Sequence, residues 1–103
     1  MNKKLVSLSI ASLILSLSST VFAGGDAAAG KAAAGVCAGC HGPDGTSFAD
    51  IYPNLKGQKA GYLVKQLKDF KSGTRKDPIM AGMVAPLSDA DMENLAAYFS
   101  SLK

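Results

Sequence analysis

Histidine occurs once in this 103-residue chain and cysteine twice. That scarcity excludes a structural zinc site, which needs four ligands where Cys37, Cys40 and His41 supply three. The single disulfide the chain could form, Cys37 to Cys40, would close a very short loop and constrain little. It would also leave His41 without a task. No arginine-rich run exists, and no interleaving of aromatic and basic residues of the kind single strands require, so nucleic-acid binding is excluded. No segment alternates apolar and polar residues convincingly, so strands are not expected. An uninterrupted apolar run of about 20 residues, the minimum for a membrane anchor, is missing too.

The apolar stretch that does exist lies at the start. Lys3 and Lys4 precede an apolar, serine-interrupted segment from Leu5 to Leu17, and Val21-Phe22-Ala23 ends on a small residue. This is the order of a secretory signal peptide with its cleavage site. The serine-rich Ser16 to Thr20 continues a membrane span poorly, and no cysteine follows Ala23 to make a lipoprotein. Residues 1–23 are therefore expected to be a signal peptide and residues 24–103 an exported domain that does not span the membrane. Removing Lys3 and Lys4 lowers the formal net charge from +3 to +1. The remaining 80 residues sit near the size at which a core of side chains alone suffices, so a staple or a bound cofactor is expected.

Three helices can be read in that domain. "DAAAGKAAAGV", Asp26 to Val36, has high helix propensity, with Asp26 as N-cap. From about Lys59 to Ser72, Leu63, Leu67 and Phe70 fall at i, i+4, i+7, and Gly73 occupies a C′ position. Ser88 and Asp91 form a capping-box-like start, after which Met92, Leu95, Ala96, Phe99 and Leu102 trace one apolar stripe. Two long connections remain, Cys40 to Gln58 and Gly73 to Leu87. Loops of that length are uncommon in a compact domain unless they cover something. No internal repeat or interdomain linker is evident.

What is present in force is "VCAGCHGPDG", Val36 to Gly45, which holds both cysteines and the histidine. A thioredoxin-like C-x-x-C belongs beside a βαβ pattern, and none exists here. C-x-x-C-H is the attachment signature of c-type haem. Two thiols at that spacing reach the two vinyl groups on one porphyrin edge and form thioethers, and the next residue projects an imidazole toward the iron. One haem c, held through Cys37 and Cys40 with His41 as iron ligand, gives all three residues one purpose. A second ligand can come from a methionine. Met92 is explained by the helical stripe. Met80 and Met83 lie in "DPIMAGMVAPL" between Pro78 and Pro86, and the residues alone leave both open.

With "GDAAAGK" leading into "CAGCH", "YPNLKGQ" starting eleven residues after the histidine, and a methionine segment before "LSDADMENLAAYFSSL", the chain resembles the small monohaem class I cytochromes c of bacterial respiratory chains. The resemblance spans most of residues 24–103. It implies an all-α fold of three main helices wrapped around one covalently bound haem c. It assigns the backbone of Pro53 as acceptor for the second ring N–H of His41, which would fix the imidazole and raise its basicity. It places the distal iron ligand at Met80, with Met83 lining the haem pocket. It also pairs Gly30 with an aromatic of the last helix, Tyr98 or Phe99. Where many relatives carry an aromatic, this chain has Ala34.

His/Met ligation raises the reduction potential and leaves no open coordination site. The implied protein is a periplasmic electron shuttle rather than an enzyme, with redox partners such as a quinol–cytochrome c reductase, a terminal oxidase or other cytochromes. The alternative is a haem protein with an open distal site acting as sensor or enzyme subunit. Lys56, Lys59, Lys65, Lys68 and Lys71 admit two readings: the solvated face of the second helix and its approach, or a ring that steers an acidic partner to the haem edge.

Overall fold

The structure, a computed structural model, describes residues 24–103; the expected signal peptide, residues 1–23, lies outside them. Among the described residues every regular element is helical. Helix α1 spans Ala27–Ala33 and passes through a 3-10 turn, Ala34–Cys37, into the single turn of α2, Ala38–His41. Helix α3 spans Ala60–Ser72, α4 Pro78–Val84 and α5 Asp89–Ser101. The expected helix from Asp26 to Val36 is thus a shorter α-helix followed by a tighter one. Winding goes from about 3.6 to about 3.0 residues per turn at Ala34, which changes the direction in which Cys37 and the residues after it project.

Asp26 caps α1, accepting from the backbone N–H groups of Ala28 (2.9 Å) and Ala29 (3.4 Å). Its own N–H donates to Asn94 Oδ1 at 2.8 Å, tying the start of α1 to α5. These two helices meet backbone to backbone. A Cβ built on Gly30 would lie 1.9 Å from Asn94 O and 2.8 Å from Tyr98 Cβ, and one on Gly25 only 2.0 Å from Glu93 O. Glycine is required at this crossing because any side chain would force the helices apart. The contact also separates the two aromatic candidates: Tyr98 faces Gly30, while Phe99 is buried in the core with Ala34, Leu63, Leu95 and Ala96. Ala34 is small and buried where the helices converge.

Helix α3 packs on the other side of α5 and ends at Gly73, as its sequence implied. The apolar stripe of α5 is observed as expected, with Met92, Leu95, Ala96 and Phe99 buried and the helix closing before Leu102. The second long connection is not a loop throughout. Asp77 accepts from the N–H groups of Ile79 and Met80, both at 2.9 Å, and Pro78 occupies the first turn of α4. Proline is well suited there because its missing N–H would find no intrahelical partner anyway.

The Cys40 to Gln58 connection is irregular but closely braced. Gly45 O accepts from the N–H groups of Leu55 (2.7 Å) and Lys56 (3.0 Å), and Gly57 N–H donates to Phe99 O at 2.9 Å. These bonds fasten the segment to itself and to α5. Lys71 Nζ donates to the carbonyl of Leu87, strapping α3 to the joint between α4 and α5.

Gly30→Ala is expected to lower the thermal midpoint. The overpacking cost, about 1–3 kcal/mol, exceeds the helix-propensity gain of up to about 1 kcal/mol. Calorimetry of wild type and variant checks this; an unchanged or raised midpoint would contradict the backbone contact.

The capping box at α5 carries a pH signature. Asp91 N–H donates to Ser88 Oγ at 3.0 Å; in return the Ser88 backbone N–H donates to the Asp91 carboxylate at 2.9 Å and, helped by the Ser88 hydroxyl, holds that carboxyl below its ordinary range. A carboxyl with a depressed folded-state value stabilises above its unfolded value, about 3.9, and loses that contribution as pH falls through the folded value. The stability gap between wild type and Asp91→Asn should therefore be open near neutrality and narrow on acidification below about pH 4. Thermal melts across that range measure it.

Candidate functional site

The cleft that the helices leave is lined by the signature residues on one side and by the methionine helix on another. Cys37, Cys40 and His41 border it from the α1–α2 segment, Met80 from α4, and the apolar side chains of Leu63, Leu67, Phe70, Leu95 and Phe99 from α3 and α5. Its volume of about 320 Å³ falls in the range of cofactor sites, about 300–1,000 Å³.

His41 is the one buried polar or charged residue among those described, 7% exposed. Its Nδ1 lies 2.8 Å from Pro53 O. A carbonyl only accepts, so Nδ1 donates, and the lone pair of the ring is left on Nε2. Gly42 (φ 84°) ends α2 directly after the histidine, where a Cβ would lie 1.8 Å from Thr46 O. Two further bonds hold the carbonyl of Pro53 in place. Ser47 N–H donates to Asn54 Oδ1 at 2.8 Å, and Ser47 Oγ donates to Tyr52 O at 2.7 Å. The Tyr52 ring stands edge-on to the imidazole, with centroids 6.4 Å apart. A buried imidazole aimed by a main-chain acceptor is the environment of a metal-ligating histidine.

The two cysteines are free and half-buried. Burial pushes the Cys37 thiol above its ordinary value, and the neighbouring Cys40 adds to the shift. Catalytic thiols are held low to favour the thiolate, so Cys37 lacks the electrostatics of a catalytic thiol. Among the described residues no three His, Cys, Asp or Glu side chains converge on a metal position.

The methionines separate clearly. Met80 is half-buried and lines the cleft, whereas Met92 is 1% exposed within the α5 core. Met83, expected to line the haem pocket, does not; it is 44% exposed. The correction follows from α4 being a helix. Met80 and Val84 (i, i+4) share the inward face, with Val84 1% exposed, while Ile79 borders the cleft from its rim at 56% exposed and Met83 is left outside it.

Several lining residues carried no signal in the motif reading. Arg75 lies over the Phe70 ring, 4.5 Å from its centroid, and Tyr62, Gln66 and Asp77 also border the cleft. Asp77 could have been found as a capping residue directly before Pro78, a reading the sequence analysis did not make; Arg75 stands out only as the sole arginine.

The cytochrome c family model matches residues 27–103. The chain belongs to the cytochrome c family. It is 50% identical over 103 residues to cytochrome c4 of Pseudomonas aeruginosa, a match covering all of this chain and 50% of that protein. This chain therefore spans about half the length of that relative. Cytochrome c-554(548) of Halomonas halodenitrificans is 49% identical over 80 residues, covering 75% of this chain and 96% of that one. Among solved structures, reduced recombinant cytochrome c4 from Pseudomonas stutzeri superposes with a TM-score of 0.74 at 50% identity, over 77% of this chain and 46% of that chain. The fold is that of a class I cytochrome c.

As a cytochrome c, the protein carries one haem c bound covalently through Cys37 and Cys40. The residues present fit that group: two unpaired thiols, an oriented buried imidazole and apolar walls border one cleft. In protein exported and matured in a host that attaches haem, the mass should equal residues 24–103 plus one haem, and a thiol reagent should label neither cysteine after unfolding. Recovery of two reactive thiols in coloured protein would contradict thioether attachment.

Proposed function

We propose that this cytochrome c exchanges single electrons through a six-coordinate haem whose iron ligands are His41 and Met80, with Pro53 orienting the histidine. The observation that carries the reading is that Met80 shares the cleft with His41, while Met83 points outward and Met92 is spent in the core. When bound, the haem supplies a one-electron Fe(III)/Fe(II) couple. The thioether of Met80 prefers the electron-rich reduced iron and raises the potential. The His41 hydrogen bond to Pro53 O keeps the imidazole basic and its plane fixed. The apolar walls from α3 and α5 keep water from the ligands, so the less charged reduced state is favoured. Met80 is carried by a short helix capped by Asp77, and His41 by the single turn of α2 that Gly42 ends.

The protein acts in this reading as a carrier and not as an enzyme, since six ligands leave no site for a substrate. Residues 1–23 serve as a secretory signal and residues 24–103 as the domain that works in the periplasm. Among the described residues no helix is long and apolar enough to cross a membrane. Its donors and acceptors are respiratory proteins such as a quinol–cytochrome c reductase, a terminal oxidase or other cytochromes.

The lysines support the solvated-face reading more than a docking ring. Lys65 pairs with Asp69 at 2.5 Å, Lys56 with Asp44 at 3.8 Å, and Lys71 is committed to the Leu87 carbonyl. The two ion pairs contribute little to stability, about 0–1 kcal/mol each, but they neutralise Lys56 and Lys65, and the Leu87 carbonyl holds Lys71 in place without cancelling its charge.

Met80→Ala is expected to abolish the weak sulfur-to-iron charge-transfer band of the oxidised protein, lower the potential and admit carbon monoxide to the reduced iron. Met83→Ala should keep the band and change stability little, because its side chain is largely exposed. Loss of the band in Met83→Ala with retention in Met80→Ala would overturn the assignment, and immediate carbon monoxide binding by the wild type would favour an open distal site.

A further inference from the structure

Met80 stands in the first turn of α4, a helix of seven residues. So short a helix is marginal by itself, and little apolar burial supports this one. Val84, at its end, is buried, but Pro78, Ile79, Ala81, Gly82 and Met83 are exposed. Gly82 has open space around it and weakens the winding further. Hydrogen bonding therefore carries the first turn, and that bonding converges on one residue.

A helix start leaves its first N–H groups without intrahelical partners. In α4, Pro78 has no N–H to satisfy. The N–H groups of Ile79 and Met80 both donate to Asp77 Oδ1 at 2.9 Å, and Ala81 N–H donates to the Asp77 carbonyl at 2.8 Å. Asp77 is itself extended (φ −151°, ψ 119°), the backbone form of an N-cap. Among the described residues no other side chain bonds the main chain of α4, and neither ion pair engages Asp77. The residue that brings its thioether to the cleft is fastened at its own N–H by the carboxylate three positions before it.

This arrangement lets the first turn open without the rest of the domain. Val84 stays buried at the far end of α4, and Lys71 holds the Leu87 carbonyl beyond it. Local opening of this kind costs less than global unfolding. We propose that Asp77 is the positioning residue of Met80: it latches the first turn of α4 and so sets how often the sixth position of the iron is vacated. The role rests on Met80 being the distal ligand and adds what keeps that ligand in place. A small nitrogen donor such as imidazole captures only the vacated fraction, so its apparent affinity scales with that fraction. The exchange breaks one iron–sulfur bond and forms one iron–nitrogen bond, and no electron moves.

The chain contains a matched control. Asp26 caps α1 with the same pattern, accepting from the N–H groups two and three residues on, Ala28 and Ala29. Helix α1 is pinned to α5 at Gly30 and at Asn94 as well, and it lies away from Met80 in the chain. Losing that cap loosens the fold without touching the turn that carries the methionine.

The test titrates imidazole into the oxidised holoprotein and follows binding by absorption. Replacing an N-cap aspartate by alanine shifts a helix equilibrium roughly two- to thirtyfold. Asp77→Ala should therefore bind imidazole more tightly than wild type by a factor in that range, and less tightly than Met80→Ala. Asp77→Asn keeps the side-chain oxygen and loses the charge, and it should match wild type. Asp26→Ala should lower the thermal midpoint and leave the imidazole affinity unchanged. Gly82→Ala adds helix propensity at an open position and should weaken imidazole binding by up to about fivefold.

Wild-type affinity in Asp77→Ala overturns the proposal. Equal tightening in Asp77→Asn would assign the effect to the charge, and equal tightening in Asp26→Ala to general loosening; either overturns it too. Should Asp77→Ala fail to mature, Gly82→Ala decides: unchanged or tighter binding there means that the winding of α4 does not hold Met80. The ligand assignment fails separately, by persistence of the sulfur-to-iron band in Met80→Ala.

Discussion

The backbone contact between α1 and α5 is the constraint on which the rest depends. Gly25 and Gly30 let the two helices touch main chain to main chain, and Asn94 adds a side-chain bond to the Asp26 N–H at the same crossing. With that crossing set, the continuation of α1 through its tighter turn has one place to go. It delivers Cys37, Cys40 and His41 to the wall of the cleft, with α3 and α5 forming the floor. Phe99 extends the arrangement from the other end: its side chain is in the core and its carbonyl receives Gly57 N–H, so α5 also positions the segment that holds Pro53.

The protein invests little in apolar packing outside this arrangement. Its buried apolar residues number eight among those described, and five of them form one cluster beside the cleft. Phe48 and Ile51 remain more than 80% exposed, and Ile79 more than half. A domain of this size usually relies on a staple, and the covalently held haem is that staple. Polar bracing does the remaining work: the Gly45, Ser47 and Asn54 bonds give an irregular segment a defined path without a core of its own.

Much of this was legible in residue order. C-x-x-C-H named the cofactor through its spacing, and Ser88 with Asp91 named the start of α5 through reciprocal hydrogen bonds that are observed. Helix α4 was not legible as a helix, because seven residues give too little length for periodicity and Pro78 reads as a loop brace unless Asp77 is taken as a cap. Missing that helix also misplaced Met83, since the inward and outward faces are defined only once the segment winds. The alanine-rich first helix announced its conformation but not the change of winding at Ala34, where small side chains carry no directional pattern. Arg75 had no motif; its place on the cleft wall comes from Phe70 and Gln66, which a helix brings beneath it from five and nine residues away.

The acceptor for His41 is a main-chain carbonyl, and this shapes how the protein can vary over generations. Every amino acid carries that oxygen, so no substitution at position 53 can delete the group that aims the imidazole. The vulnerability is displaced onto residues that hold the carbonyl in position, Ser47 and Asn54 by their side chains and Gly45 by its backbone. Drift at the contact itself is buffered, and inherited change in the orientation of the imidazole must enter through neighbours that never touch it.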